Sequence, residues 1–234
     1  MRGGARVSRN AVMALALLVA LAGCDQGGAV EAQAPSPLAT PFPRTADGPA
    51  GIEPGTYLVP KSEWSVADFT VTFPEGWTVQ YDHVYAKNPD EPDEFGFYAV
   101  TVDEIYVDAC AGGEVVMEVG PTVLDLAAAL LRQRGTDADG PFETTLGGYP
   151  ATEIDLSEPK GFDPDTCRPK GIGLQVWYSA PADKYFVLVP GYAQVYILNI
   201  DGQRQVFLVQ VKSAVTQKDR RELQGVLDSI RIET

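Results

Sequence analysis

Residue types that do chemistry are sparse in this chain. It has one histidine, His83, and three cysteines, Cys24, Cys110 and Cys167. A Ser-His-Asp or Cys-His mechanism would have to use His83. That residue stands between Asp82 and Val84 at the margin of a strand pattern, and no Gly-x-Ser-x-Gly elbow occurs in the chain. The expectation is therefore a solvent-facing histidine. Asp90, Glu91, Asp93 and Glu94 crowd one loop, and hard cations such as calcium take clustered carboxylate oxygens. The spacing matches no EF-hand and the loop lacks the turn glycine. A solvated acidic loop is the expectation, with a calcium site as the alternative. Asp163 and Asp165, near Cys167, are a weaker case of the same pattern. Asp103, Glu104 and Asp108 could supply the paired carboxylates of a glycoside hydrolase. With 32 acidic residues in the chain, however, nearness in sequence decides nothing.

The aromatics Trp177, Tyr178, Tyr185, Phe186, Tyr192 and Tyr196 gather late in the chain. They could line a groove for an apolar or sugar-like ligand. Aromatics also favour strands and fill cores, and core is the preferred reading. No phosphate-binding loop, Rossmann fingerprint, zinc motif or basic recognition stripe is present. No catalytic residue, cofactor or metal is assigned, and a non-enzymatic protein is expected.

The formal charge of −14 over 234 residues argues against nucleic acid, because phosphate backbones would be repelled. Anionic lipid headgroups would be repelled too, so contact with a membrane needs some other hold. Such charge keeps a domain soluble, and a monomer is expected. The length suits one domain plus a tether.

The start of the chain supplies a hold. Arg2, Arg6 and Arg9 precede an apolar run over residues 11–22, which is too short for a permanent bilayer span. A basic start, a short apolar core and small residues describe a secretory signal. Leu21-Ala22-Gly23-Cys24 resembles the lipobox of bacterial lipoproteins. The resemblance implies that residues 1–23 are removed. It implies that the Cys24 thiol takes a diacylglycerol (with palmitate as a typical acyl group). It also implies that the protein is held at the outer, extracytoplasmic face of the cell membrane. Residues 24–50 are rich in alanine, proline and glycine, which predicts a disordered tether behind the lipidated cysteine. Cys110 and Cys167 then remain as an even pair in an oxidising compartment, where one disulfide is expected. Free thiols or a metal site are the alternatives, and one histidine without CxxC spacing argues against zinc.

A single domain is read over residues 51–234. Alternation predicts strands at 55–59, 69–73, 77–81, 95–102 and 105–107. Thr122 is a predicted N-cap with Asp125 three residues on. Val123, Leu126, Ala127, Leu130 and Leu131 form an apolar stripe, and Gly135 is the expected stop. The cluster over 136–140 reads as loop. Gly147-Gly148 joins strands at 142–146 and 149–156. A long loop over 157–173 holds Cys167, and strands at 174–179 and 184–189 follow. Asp201-Gly202 turns a hairpin whose arms, 194–200 and 203–211, are apolar on nearly every position and should be covered on both faces. Thr216 and Asp219 cap a last helix with Leu223, Val226, Leu227 and Ile230 on one side. About eight strands and two main helices predict an α+β fold, an antiparallel β-sheet with the helices packed on it.

The strand ending in Phe73-Pro74-Glu75-Gly76-Trp77, the turn at Gly147-Gly148-Tyr149-Pro150-Ala151 and the closing helix with Asp228-Ser229-Ile230 occur in an order similar to the PsbP-like superfamily. The chain also resembles actinobacterial exported domains of uncharacterised function. In those, a cysteine precedes a Gly-Pro-Thr-capped helix, as Cys110 precedes Gly120-Pro121-Thr122, and a second follows the central hairpin, as Cys167 does. The resemblance implies the fold and the disulfide and carries over no catalytic residue. The expected function is a membrane-anchored lipoprotein of the cell envelope whose domain binds a protein partner or small ligand without catalysis. A carboxylate-based extracytoplasmic hydrolase and a structural or assembly subunit of a membrane complex are the alternatives.

Overall fold

The computed structural model describes residues 40–41, 48–111, 116–168, 170, 173–179, 184–188 and 190–233. The signal-like start, Cys24 and most of the stretch read as a tether lie outside the described residues. The N-terminal part carries β1 (Thr40–Pro41), β2 (Ala50–Gly51), β3 (Gly55–Val59), β4 (Asp68–Phe73), β5 (Trp77–Gln80), β6 (Val84–Lys87), β7 (Phe95–Val100), β8 (Glu104–Tyr106) and β9 (Val116–Glu118). Helix α1 (Val123–Leu130) follows, then β10 (Asp137–Leu146), β11 (Tyr149–Ser157), β12 (Leu174–Ser179) and β13 (Lys184–Leu188). The long hairpin β14 (Gly191–Ile200) and β15 (Gln203–Lys212), helix α2 (Gln217–Ser229) and β16 (Arg231–Glu233) complete the domain.

The spine is an eight-stranded sheet in the order β10-β11-β14-β15-β7-β6-β5-β2. Every pairing in it is antiparallel. Two four-stranded sheets flank it, β1-β3-β4-β16 and β13-β12-β8-β9. Among the described residues the fold is α+β with an antiparallel core, two main helices and one disulfide, as the sequence patterns imply.

Alternate residues of the spine enter two separate cores, because side chains of a strand point to opposite faces with period two. Tyr196 and Leu198 of β14 join Phe207 and Val209 of β15 on one face. There they meet Phe69, Val71 and Phe73 of β4 and Leu223, Val226 and Leu227 of α2. Val195, Ile197, Val206 and Leu208 point the other way, against Leu126 and Leu130 of α1, Ile105 of β8 and Trp177 of β12. The central hairpin is therefore covered on both faces, which is why residues 195–198 and 206–209 are apolar without interruption. Burying each such side chain stabilises the fold by about 1.5–3 kcal/mol.

Both helices begin as predicted. Thr122 and Thr216 accept from the amides of Asp125 and Asp219, whose carboxylates reach back to the cap amides. Helix α1 stops at Leu131, short of Gly135. The Gln133 amide Nε2 donates to the Tyr106 and Val176 carbonyls at 2.8 and 2.6 Å, which draws the chain out of the helix. The disulfide joins Cys110 to Cys167 with Cα atoms 4.5 Å apart. Cys167 is fully buried in the second core, and the Arg168 amide donates to the Cys110 carbonyl at 2.8 Å. The long loop is thus pinned beside β8.

The structure departs from the sequence reading at several places. Sixteen strands are present among the described residues rather than about eight. Those that the sequence patterns do not place, β1, β2, β6, β9 and β16, are two to four residues long, too short for alternation to register. Residues 137–140 are strand, not loop, because Asp137, Ala138 and Asp139 pair with Ser157, Leu156 and Asp155 of β11. The neighbouring strand supplies what local propensity does not. Two short pairings fall within the stretch assigned to the tether or at its border: Thr40 with Tyr57, and Ala50 with Val79.

Candidate functional site

The second face of the spine is left partly open at the β5-β6-β7 end. One row of paired residues crosses four strands there: Gln80, Val84, Tyr98 and Leu208. In the next row Ala86, Gly96 and Gln210 are paired. A Cβ at Gly96 would lie 2.1 Å from the Tyr85 carbonyl oxygen, so no side chain fits and the floor dips beside Tyr98.

Two aromatic stacks form the walls. On one side Trp64 lies against His83, ring centroids 3.6 Å apart. On the other, Trp177 of β12 stacks on Phe186 of β13 at 4.5 Å. Between them is an inner chamber of about 260 Å³, lined also by Tyr81, Tyr98 and Leu208. An outer chamber of about 350 Å³ shares Glu94, Tyr98 and Phe186 with it and adds Asp90, Gln210 and Lys212. The site is one cleft, aromatic within and charged at its outer part.

The wall holding Trp64 comes from a segment distant in sequence, and Gln205 of β15 fixes it there. The Gln205 side chain is fully buried. Its Oε1 accepts from the Val66 amide at 2.8 Å, and its Nε2 donates to the Trp64 and Val100 carbonyls at 3.2 and 3.1 Å. One side chain thus ties the Trp64 segment to the spine. His83 is buried beneath Trp64, and its Nδ1 donates to the Tyr81 carbonyl. The solvent-facing histidine expected from sequence is therefore corrected. The cause is Trp64, which covers the ring from another part of the chain.

Hydrogen bonding inside the cleft is largely internal. The Tyr98 hydroxyl donates to Gln210 Oε1 at 3.2 Å, and Gln210 Nε2 donates to the Val187 carbonyl at 3.3 Å. Burial, and then the Glu94 carboxylate, push the Tyr98 phenol well above its ordinary pKa. Lys212 Nζ sits 2.6 Å from Glu94 Oε2. The Asp90 amide donates to that same oxygen at 2.9 Å.

The remaining carboxylates singled out in the sequence are dispersed. Asp93 accepts from Asn88 Nδ2 at 3.0 Å. Among the described residues no group of three or more His, Cys, Asp or Glu side chains is placed to hold a metal ion. Of the acidic loop, Asp90 and Glu94 line the cleft, while Asp93 is held by Asn88. Asp108 caps the turn before the disulfide, accepting from the Cys110 amide at 3.0 Å. Asp103 lies in a separate depression beside Arg204. Asp163 accepts from the Asp165 amide at 3.0 Å. The late aromatics divide: Trp177 and Phe186 line the cleft, whereas Tyr196 belongs to the first core. Tyr192 packs at the margin of that core beneath Arg220, 4.8 Å from the ring centroid. The Tyr185 side chain lies outside the described residues.

Sequence reasoning missed Trp64, Tyr98 and Gln205. Tyr98 stands within an apolar strand run, and only pairing with Val84 and Leu208 shows that it faces away from Phe97. Gln205 offered little signal, since Gln203, Arg204 and Gln210 share its arm.

No family model matches the chain, and no curated protein matches it. Among solved structures, the solution structure of the cyanobacterial PsbP protein of Synechocystis is similar to it at 9% identity and a TM-score of 0.38. The likeness covers 81% of this chain and 98% of that one.

Proposed function

We propose that this chain is a lipoprotein of the cell envelope whose domain is a non-catalytic binding module with a small ligand seated in the cleft. The observation that carries the reading is the cleft itself: rings from segments far apart in sequence enclose a concavity beside the Glu94–Lys212 ion pair. Concave, mainly apolar sites with a few fixed polar groups are the usual form of ligand pockets. Tyr98 bonds Gln210 and Glu94 pairs with Lys212 there, and His83 is stacked on Trp64 with its Nδ1 given to a backbone carbonyl. That is an arrangement for holding a ligand rather than moving protons. The anchor on Cys24 and the extracytoplasmic location belong to the same proposal. They are supported by the basic start, Leu21-Ala22-Gly23-Cys24 and the disulfide, which suits an oxidising compartment.

Two measurements test it. Intact mass of the protein extracted from membranes should give a chain starting at Cys24 with diacylglycerol mass and no free thiol before reduction; an unlipidated chain with reactive thiols sinks the anchor. NMR of the full-length protein in detergent with pools of small envelope metabolites should shift resonances of Tyr98, Trp177 and Phe186. A complete absence of perturbation there across neutral, anionic and cationic pools would overturn the binding reading.

A further inference from the structure

We infer that the cleft takes an organic ammonium cation, of the methylated amine class. The inference rests on the reading of the cleft as a binding site and adds the chemistry of the occupant. Three observations support it.

Charge comes first. Asp90 and Glu94 line the outer chamber against the single ammonium of Lys212, which is already held by Glu94 at 2.6 Å and by the Glu91 carbonyl at 3.2 Å. An anion entering there meets carboxylates, whereas a cation is drawn in both by them and by the chain's formal charge of −14. The rings are the second observation. The inner chamber is bounded by Trp64, Tyr81, Tyr98, Trp177 and Phe186, and aromatic faces carry the negative end of the ring quadrupole, which attracts cations. The third is the state of the polar groups. The Tyr98 hydroxyl, the Gln210 amide nitrogen and His83 Nδ1 already donate, to Gln210 Oε1, the Val187 carbonyl and the Tyr81 carbonyl. A sugar or peptide would lose its bonds to water and find few replacements. A quaternary ammonium has no donors to satisfy and requires only rings and a nearby carboxylate. The inner chamber, at about 260 Å³, is at the small end for ligand pockets, which suits a compact head group.

The test compares choline with its neutral carbon isostere, 3,3-dimethylbutan-1-ol, by calorimetric titration into the full-length protein in non-ionic detergent at low salt. Choline should saturate one site with at least ~10-fold preference over the isostere. Asp90→Asn, which removes a carboxylate from the outer chamber and leaves the Glu94–Lys212 pair in place, should reduce that preference. Glu222→Gln, on the opposite side of the spine, should keep it. Equal binding of choline and isostere overturns the inference but leaves the cleft as an apolar binding site. Absence of choline binding also overturns it, and the wider metabolite pools then decide whether the binding reading itself stands. The wild-type comparison stands even if the Asp90 variant fails to fold.

Discussion

The two faces of the spine use the same strands and reach different ends. On the first face, β3, β4 and α2 close over an aromatic cluster in which Phe73 lies 5.4 Å from Trp77 and 6.1 Å from Phe97, ring to ring. Helix α2 is further tied down by Glu222, which accepts from Trp77 Nε1 at 3.0 Å and pairs with Lys87 at 2.6 Å. On the second face α1 lies chiefly over β11 and β14, and β8 and β12 reach over from the side. The β5-β6-β7 end keeps its cleft. An eight-stranded spine with one short helix on a face has more surface than its covering, and the remainder is where a ligand can sit. Phe97 and Tyr98 show the contrast in adjacent residues: the first is fully buried, the second half-buried at the cleft floor.

The contrast can be broken by mutation. Phe97→Ala opens a cavity among stacked rings and should cost about 3–5 kcal/mol in urea unfolding, toward the upper part of that range. Tyr98→Ala, one residue along, should cost about 1–2 kcal/mol and abolish ligand perturbation instead; equal losses at both positions would mean that the faces are not distinct. Replacing both Cys110 and Cys167 by alanine should cost about 2–4 kcal/mol and act on the second face, where Cys167 is buried. Gln205→Leu should cost about 1–3 kcal/mol, since the Val66 amide and Trp64 carbonyl lose a buried partner. It should also release Trp64 from His83, read as a change in the histidine ring resonances, while the first core stays intact. If those resonances do not move, Gln205 does not hold the wall.

The smallest effect sharpens the comparison by symmetry. The Thr122 and Thr216 hydrogen bonds hold the carboxyls of Asp125 and Asp219 below the ordinary aspartate value. A carboxylate depressed in the folded state contributes stability that is complete above its unfolded pKa and is lost as pH falls through the folded one. That loss belongs below about pH 4. Asp125→Asn and Asp219→Asn should each flatten the acid limb of a stability curve by similar amounts, although the helices lie on opposite faces. A limb unchanged by both substitutions would remove the caps from the account of acid sensitivity.

Where sequence spoke, it spoke through local chemistry. Both capping boxes, the Gly147-Gly148 turn with φ of 62° and 90°, and the Asp201-Gly202 hairpin are decided within a few residues. The cysteine pair was legible from its even count behind a signal-like start. The cleft was not, because its parts meet only through the sheet. Trp64 reaches His83 by way of Gln205, which bonds to the Trp64 carbonyl from 141 positions away. Glu94 looked like one more acid in a solvated loop, but the backbone amide and the ammonium of Lys212 on β15 both hold it at the cleft.

The seam between β7 and β15 sets an order in time. Tyr98 is made early, but its neighbour Leu208 follows more than a hundred residues later. At roughly 5–20 residues per second of synthesis, the floor of the cleft is incomplete for about 5–20 s after its first half exists. Long-range antiparallel pairing of this kind also closes slowly once the chain is complete. An N-terminal fragment would have the Trp64 segment, His83 and Tyr98, yet neither Gln205 to hold the wall nor Leu208 to finish the floor. The cleft is therefore a late product of the chain, and its formation reports that the last hairpin has docked.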